Sequence, residues 1–300
     1  MLIINVGLDK FVFCNGKRDD MSFKSISAAS MMLFLILVSP ARAEDFWKQV
    51  NLFDANNPQK TMDILFNTAW TPDGNSSGKI MYIFAGANCP ASQRLFLKTR
   101  TLISKVQIRW IMAYGDSQQA RDLDQTCILS KSSLILKQIF MNKRGDIKIH
   151  KNDYLEDWNY GVFVGMQSSL SQKGVPFIIY NTKEGVKYLL GIPSSLDFVD
   201  DIVEDKHYNK STPAAFSAGL DNIKVYDISG MSVISGNHNV PFYSAPSLNS
   251  PVCLYLDKNA IMQVNKMAKL PNGEEWVFKR LTGTGLGLWA RVGDFQQVKR

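Results

Sequence analysis

The chain is poor in the residues that metal centres and disulfide scaffolds need. Four cysteines and three histidines stand in 300 residues. Four thiols are too few to staple a small scaffold. His150, His207 and His238 lie far apart. Neither H-x-x-x-H nor a paired C-x-x-C occurs, so no metal site and no cofactor are expected. The G-x-S-x-G, H-E-x-x-H and Walker patterns are also missing. No apolar run approaches the roughly 20 residues that cross a bilayer. Charge is modest, with 34 Lys+Arg against 27 Asp+Glu and a net +7. Without a basic run interleaved with aromatics, nucleic acid is not an expected partner. Hydrophobic residues make up 45% and charged residues 20%. That is globular composition, which excludes a disordered or collagen-like chain, and the length fits about two domains.

The apolar run that does occur is AASMMLFLILV at 28–38. Lys24 precedes it and Ser39-Pro40-Ala41-Arg42-Ala43 follows. A positive start, a short apolar stretch and an A-x-A site together read as a secretory signal peptide rather than a buried helix. Cleavage is expected after Ala43. Asp19 and Asp20 stand where a signal carries positive charge, so Met21 reads as the true start and residues 1–20 as an over-called extension. Removing residues 1–43 takes five bases and three acids with it and leaves +5. Cys89, Cys127 and Cys253 remain. An odd number of thiols in an exported chain leaves at least one free or paired between molecules. Burial and no pairing are expected for Cys127 and Cys253.

Residues 44–78 read as a leading segment with a helix around Asp45–Leu52 and a loop at Thr71–Gly78. Lys79–Ala85 (KIMYIFA) is a buried strand. A helix follows over Ser92–Ile103, then a strand over Val106–Ala113. Ser117 caps a helix carrying Ala120, Leu123 and Cys127 on one face. Another helix runs over Ser132–Met141. Val175–Tyr180 and Lys187–Gly191 form a hairpin, and Ser194 or Ser195 caps a last helix to about Glu204. This order predicts an α/β layer structure with a mixed sheet over 79–205. Residues 206–222 read as a linker. Residues 223–300 alternate short apolar runs with turn residues and predict a small all-β domain.

Asn88-Cys89-Pro90-Ala91-Ser92 lies between a buried strand and a helix. A thiol there meets unpaired backbone N–H groups and the positive end of the helix, which favour thiolate over thiol. Pro90 opens a helix without losing a hydrogen bond. Cys89 is either a reactive thiol or an inert buried one, and spacing alone does not choose between them.

Ile83–Arg100 with Val106–Ala113 resembles the periplasmic disulfide isomerases of the DsbC/DsbG type, over roughly residues 79–205. That family carries N-C-P-x-C with a Phe soon after, and Cys89, Pro90 and Phe96 match. Gly174-Val175-Pro176-Phe177 matches the family's cis-proline loop, and Gly191-Ile192-Pro193 the segment before its last helix. The resemblance implies a thioredoxin-like fold, a cis Val175–Pro176 bond against Cys89, and Cys89 as nucleophile. It also implies that Pro176 shapes substrate docking, with Pro90 and Val175 beside it. Ser92 replaces the family's second cysteine. A C-x-x-S site forms a mixed disulfide but cannot release it with its own second thiol. Isomerisation, in which a substrate thiol releases the enzyme, remains open to it. Ser92 is expected to lie beside the Cys89 sulfur as a hydrogen-bond donor.

Val240–Phe295 resembles a bacterial SH3-like domain, with Glu275–Phe278 and Leu288–Val292 as its paired Trp-containing strands. That implies a small barrel whose Trp276 and Tyr243 are candidate ligand contacts, with core packing as the alternative for Trp276 and Trp289. Three functions follow. One is a periplasmic thiol-disulfide protein acting on exported clients that carry cysteines. Another is a degenerate scaffold or chaperone in an envelope secretion or conjugation assembly. The third is a cell-wall adaptor led by the barrel.

Overall fold

A computed structural model describes residues 47–74, 78–115, 117–145, 147–150, 153–208, 223–281 and 287–299. The expected signal peptide and its cleavage site lie outside these residues, as does most of the expected linker. In chain order the first elements are β1 (Trp47–Gln49), α1 (Pro58–Phe66), β2 (Trp70–Asp73), β3 (Ile80–Ala85), α2 (Pro90–Lys98) and β4 (Gln107–Met112). Next come α3 (Gln118–Ser130), α4 (Ser133–Phe140), α5 (Asp153–Met166), β5 (Phe177–Thr182) and β6 (Gly185–Leu190). The remaining strands are β7 (Lys224–Ile234), β8 (Val240–Tyr243), β9 (Val252–Leu256), β10 (Ile261–Lys269), β11 (Glu275–Arg280), β12 (Gly287–Arg291) and β13 (Gln297–Lys299).

One sheet has the order β2-β4-β3-β5-β6. β3 and β4 run parallel, and the other neighbours are antiparallel. With helices flanking it, this is a thioredoxin-like mixed sheet. β3 holds the centre because its six residues, Ile-Met-Tyr-Ile-Phe-Ala, are all apolar enough to be buried on both faces. β2 takes an edge, where Pro72 costs no ladder hydrogen bond. Below α2, the rings of Phe96, Trp110 and Phe140 meet at 5.1–5.7 Å and lock α2, β4 and α4 together. Arg109 is fully buried within β4. Its guanidinium donates to Tyr82 Oη (2.8 Å), Gln107 Oε1 (2.9 Å) and the His207 carbonyl (2.7 Å), so the buried charge is well satisfied.

The other sheet has eight strands in the order β1-β9-β8-β12-β11-β10-β7-β13. Its first strand is a correction to the sequence reading. Asp45–Leu52 was expected as a helix, but Trp47–Gln49 is a strand that pairs with Leu254–Leu256 of β9. Amphipathic spacing over so few residues does not separate strand from helix. Thr71–Gly78 is likewise not all loop, since Thr71–Asp73 pair with β4. The helix expected up to Glu204 is only a 3-10 turn, Asp197–Asp201. The helix expected to run to Ile103 stops at Lys98, followed by a 3-10 turn, Thr99–Thr101.

α1 and α5 were not anticipated. α5 contains Gly161 and Gly165, which weaken a helical pattern in sequence. Both permit close packing. A Cβ at Gly161 would come within 3.3 Å of Cys253, Leu288 and Ser244, and one at Gly165 would come within 2.5 Å of Leu52. Phe163 of α5 also meets Phe84 of β3 at 5.5 Å, so α5 lies against the thioredoxin-like sheet and the eight-stranded sheet together. Asp157 on α5 sits at that seam and is fully buried. Arg280 of β11 donates to both of its oxygens, at 2.9 and 2.6 Å.

Candidate functional site

β3 delivers the chain to a tight turn before α2. A Cβ at Gly86 would collide with the Tyr114 carbonyl oxygen, so only glycine fits there. The Cys89 N–H donates to the Gly86 carbonyl at 3.1 Å. Cys89 is the N-cap of α2, and Pro90 stands in its first turn. Cys89 is 5% exposed, and its sulfur lies 3.8 Å from the Val175 carbonyl, to which the thiol donates. The Val175–Pro176 bond is cis, as the resemblance implies. Cys89, Pro90, Val175 and Pro176 therefore meet at one end of the sheet.

Ser92 is fully buried, and its hydroxyl oxygen accepts from the Gly86 N–H at 3.4 Å. Its contact is with the turn, not the donation to the Cys89 sulfur that the sequence suggests. Asp124 was not singled out from sequence. It is buried beneath the same turn, where its Oδ1 accepts from the Ala87 N–H at 2.8 Å. Burial pushes this carboxyl well above the ordinary carboxylate range, with the Glu156 charge adding to the rise. The Ala87 carbonyl accepts from Gln93 Nε2 (3.1 Å) and from Arg144 Nη2 (3.4 Å). Gln167 also escaped sequence reading. It pairs with both backbone groups of Gly174, one residue before Val175. An aspartate inside a helix, or a glutamine just after one, carries no sequence signal of such a contact.

The two other described thiols differ. Cys127 and Cys253 are free and buried, and burial pushes each up to about 12. Neither is a nucleophile at neutral pH. Among the described residues no group of three or more His, Cys, Asp or Glu is placed to hold a metal ion. On the eight-stranded sheet Trp276 is fully buried in a cluster with Ala268, Phe278 and Trp289. Its indole offers no open face. Tyr243 is only partly buried and meets the Trp276 ring edge-on at 5.5 Å.

No protein-family model matches the chain, and no curated protein sequence does. Several solved structures resemble it in part. A disulfide interchange protein from Neisseria gonorrhoeae is 14% identical, covers 44% of this chain and 91% of its own, and gives a TM-score of 0.32. Proteus mirabilis ScsC in a compact conformation is 15% identical, covers 48% of this chain and 76% of its own, with a TM-score of 0.33. A periplasmic thioredoxin-like protein from Salmonella enterica serovar Typhimurium is 14% identical, covers 46% of this chain and 91% of its own, with a TM-score of 0.32. At that distance the likeness carries no functional inference. The fold class stands on the strand order and directions of the five-stranded sheet. No helix among the described residues is long and apolar enough to cross a membrane.

Proposed function

We propose that the chain is an exported, periplasmic thiol-disulfide interchange protein that works through one cysteine. The observation that carries this reading is the placement of Cys89 at the start of α2, its sulfur 3.8 Å from the Val175 carbonyl, with no second thiol in the turn. Backbone N–H groups at a helix start stabilise a thiolate. In the first step the Cys89 thiolate attacks one sulfur of a client disulfide. A Cys89–client S–S bond forms, the client S–S bond breaks, and a client thiolate leaves and takes a proton from solvent. In the second step another client thiolate attacks the client sulfur of that mixed disulfide and releases the Cys89 thiolate. The client's disulfide has moved, and no external oxidant or reductant is consumed. Pro176, Pro90 and Val175 frame the approach of the client chain.

Around this site we read residues 1–43 as removed on export, 79–205 as the thioredoxin-like domain and 223–300 as an SH3-like module. The module holds a client, an envelope assembly or a cell-wall component, with Tyr243 as its accessible aromatic contact. A second reading is favoured by the burial of Cys89, only 5% exposed. It is a thiol-inactive scaffold or chaperone on the same fold. Acid-quenched cells separate the two. Wild type showing adducts on a non-reducing gel, absent from Cys89→Ser, supports the thiol reading. No Cys89-dependent adduct and no reaction of the purified protein with glutathione disulfide would leave the scaffold.

A further inference from the structure

The loop that faces Cys89 has an unusual anchor. Gln167 follows α5 by one residue and is 1% exposed. Its Nε2 donates to the Gly174 carbonyl at 2.9 Å, and its Oε1 accepts from the Gly174 N–H at 2.9 Å. One side-chain amide thus satisfies both backbone groups of a loop residue, as a neighbouring strand would. Its own N–H donates to the Phe163 carbonyl at 3.2 Å, so the clamp is tied into the helix. The intervening residues 171–173 are exposed. The next residue after the clamped glycine is Val175, whose carbonyl receives the Cys89 thiol.

We propose that Gln167 is a positioning residue for client docking: by holding the Gly174 peptide it sets where the Val175 carbonyl and Pro176 stand relative to Cys89. This rests on the thiol-exchange reading above. Exchange needs the attacking sulfur, the attacked sulfur and the leaving sulfur in line. A displacement of about 1 Å in such an arrangement costs up to about a hundredfold in rate. A small alkylating agent needs only an accessible Cys89 sulfur and is indifferent to the loop. The two reactions therefore report different things about one thiol.

The test uses the full chain as wild type, Gln167→Ala, Gln167→Glu and Cys89→Ser. Two second-order rates are measured at one pH by mass spectrometry. One is alkylation of Cys89 by iodoacetamide. The other is mixed-disulfide formation with a peptide-glutathione disulfide, taken to saturation. Gln167→Ala is expected to keep alkylation within about twofold while slowing the peptide reaction about tenfold or more, mainly through a lower rate at saturation. Gln167→Glu matches the glutamine in size and keeps an acceptor for the Gly174 N–H but loses the donor, so its peptide rate should fall between the two. It also supplies the same comparison if the alanine variant fails to fold. Equal slowing of both reactions, or an unchanged ratio in both variants, overturns the clamp while leaving the thiol reading in place. A wild type that is alkylated yet forms no mixed disulfide overturns the thiol reading, and the clamp's role falls with it.

Discussion

Cys89 and Cys253 are both almost wholly buried, at 5% and 2% exposed, yet they occupy different kinds of place in the two sheets. Cys253 lies inside strand β9, pressed against Gly161 of α5, and its sulfur has hydrogen-bond contacts with the Pro251 carbonyl at 3.7 Å and with Ser244. Burial there outweighs the opposing Ser244 hydrogen bonds, and the thiol is pushed up to about 12. Cys89 stands at the junction of a strand and a helix, where backbone N–H groups lack helical partners. The two thiols differ in their place on an element rather than in exposure, and the proposed thiol reading rests on that difference. The eight-stranded sheet treats sulfur and indole alike as filling, whereas the thioredoxin-like sheet ends in a turn that presents a sulfur.

The sharpest way to break this comparison is to remove each sulfur in turn. Cys89→Ser should eliminate mixed disulfides altogether, because a hydroxyl is too basic to replace the thiolate. Cys127→Ser and Cys253→Ser should leave adduct yield unchanged on the same non-reducing gel. An adduct that survives Cys89→Ser, or disappears with Cys253→Ser, would reverse the roles assigned to the two sheets.

Much of the thioredoxin-like sheet was legible because its signals are local. KIMYIFA contains six consecutive buried residues, Ile80–Ala85, Ser117 and Ser132 are caps that accept from Ala120 and Ile135, and Pro90 opens α2. Cys89, Pro90, Val175 and Pro176 were legible through short motifs. The missing parts are those that depend on distant partners. β1 is a strand only because β9, some 200 residues later, offers it an edge. α5 is a helix despite two glycines because those glycines fit against Cys253 and Leu52. Asp124 and Gln167 act through contacts with Ala87 and Gly174 that no spacing announces. Trp276 looked available in sequence because a strand pattern does not say which face is covered.

The seam between the sheets offers the next largest effect. Asp157 is fully buried and held by Arg280 at 2.6 Å and by Arg121 at 3.3 Å. Burial raises its carboxyl, and the two guanidinium groups oppose the rise. Arg280→Met should leave that carboxylate with one cation. The expected loss is about 2–3 kcal/mol, at or below the low end for a broken buried pair because Arg121 remains. Denaturant unfolding followed separately by tryptophan fluorescence and far-ultraviolet circular dichroism measures it. A loss below about 1 kcal/mol would mean that the sheets do not depend on this pair.

Asp124 gives an effect with a definite pH signature. Its carboxyl is raised in the folded chain, so the folded state holds a proton that the unfolded state releases above about pH 4. Stability is therefore lost as pH rises from there toward the folded value, by about 1.4 kcal/mol per pH unit in the window between the two. Asp124→Asn keeps an oxygen for the Ala87 N–H and removes the titration. The difference between wild type and variant should shift toward the variant as pH rises from 4 to 7, in denaturant midpoints read at each pH. A pH-independent difference would show that the carboxyl does not titrate as its burial requires.

The smallest effect concerns Ser92 and separates support of the turn from chemistry. Its oxygen accepts from the buried Gly86 N–H at 3.4 Å, in a turn that Gly86 makes possible. Ser92→Ala leaves that N–H without its acceptor. A long hydrogen bond of this kind is worth about 1 kcal/mol, which is the stability loss expected in a denaturant midpoint. Adduct yield should stay at the wild-type level, because the hydroxyl contacts the turn and not the sulfur. Ser92→Cys should behave differently. It supplies a second thiol three residues after Cys89, which attacks the Cys89 sulfur of a mixed disulfide, expels the client thiolate and leaves an internal disulfide. Adducts should then clear from the non-reducing gel. Should Ser92→Ala remove the adducts while the chain stays folded, the hydroxyl would be acting on Cys89 directly. The thiol site would then be a two-residue device rather than one cysteine on a supported turn.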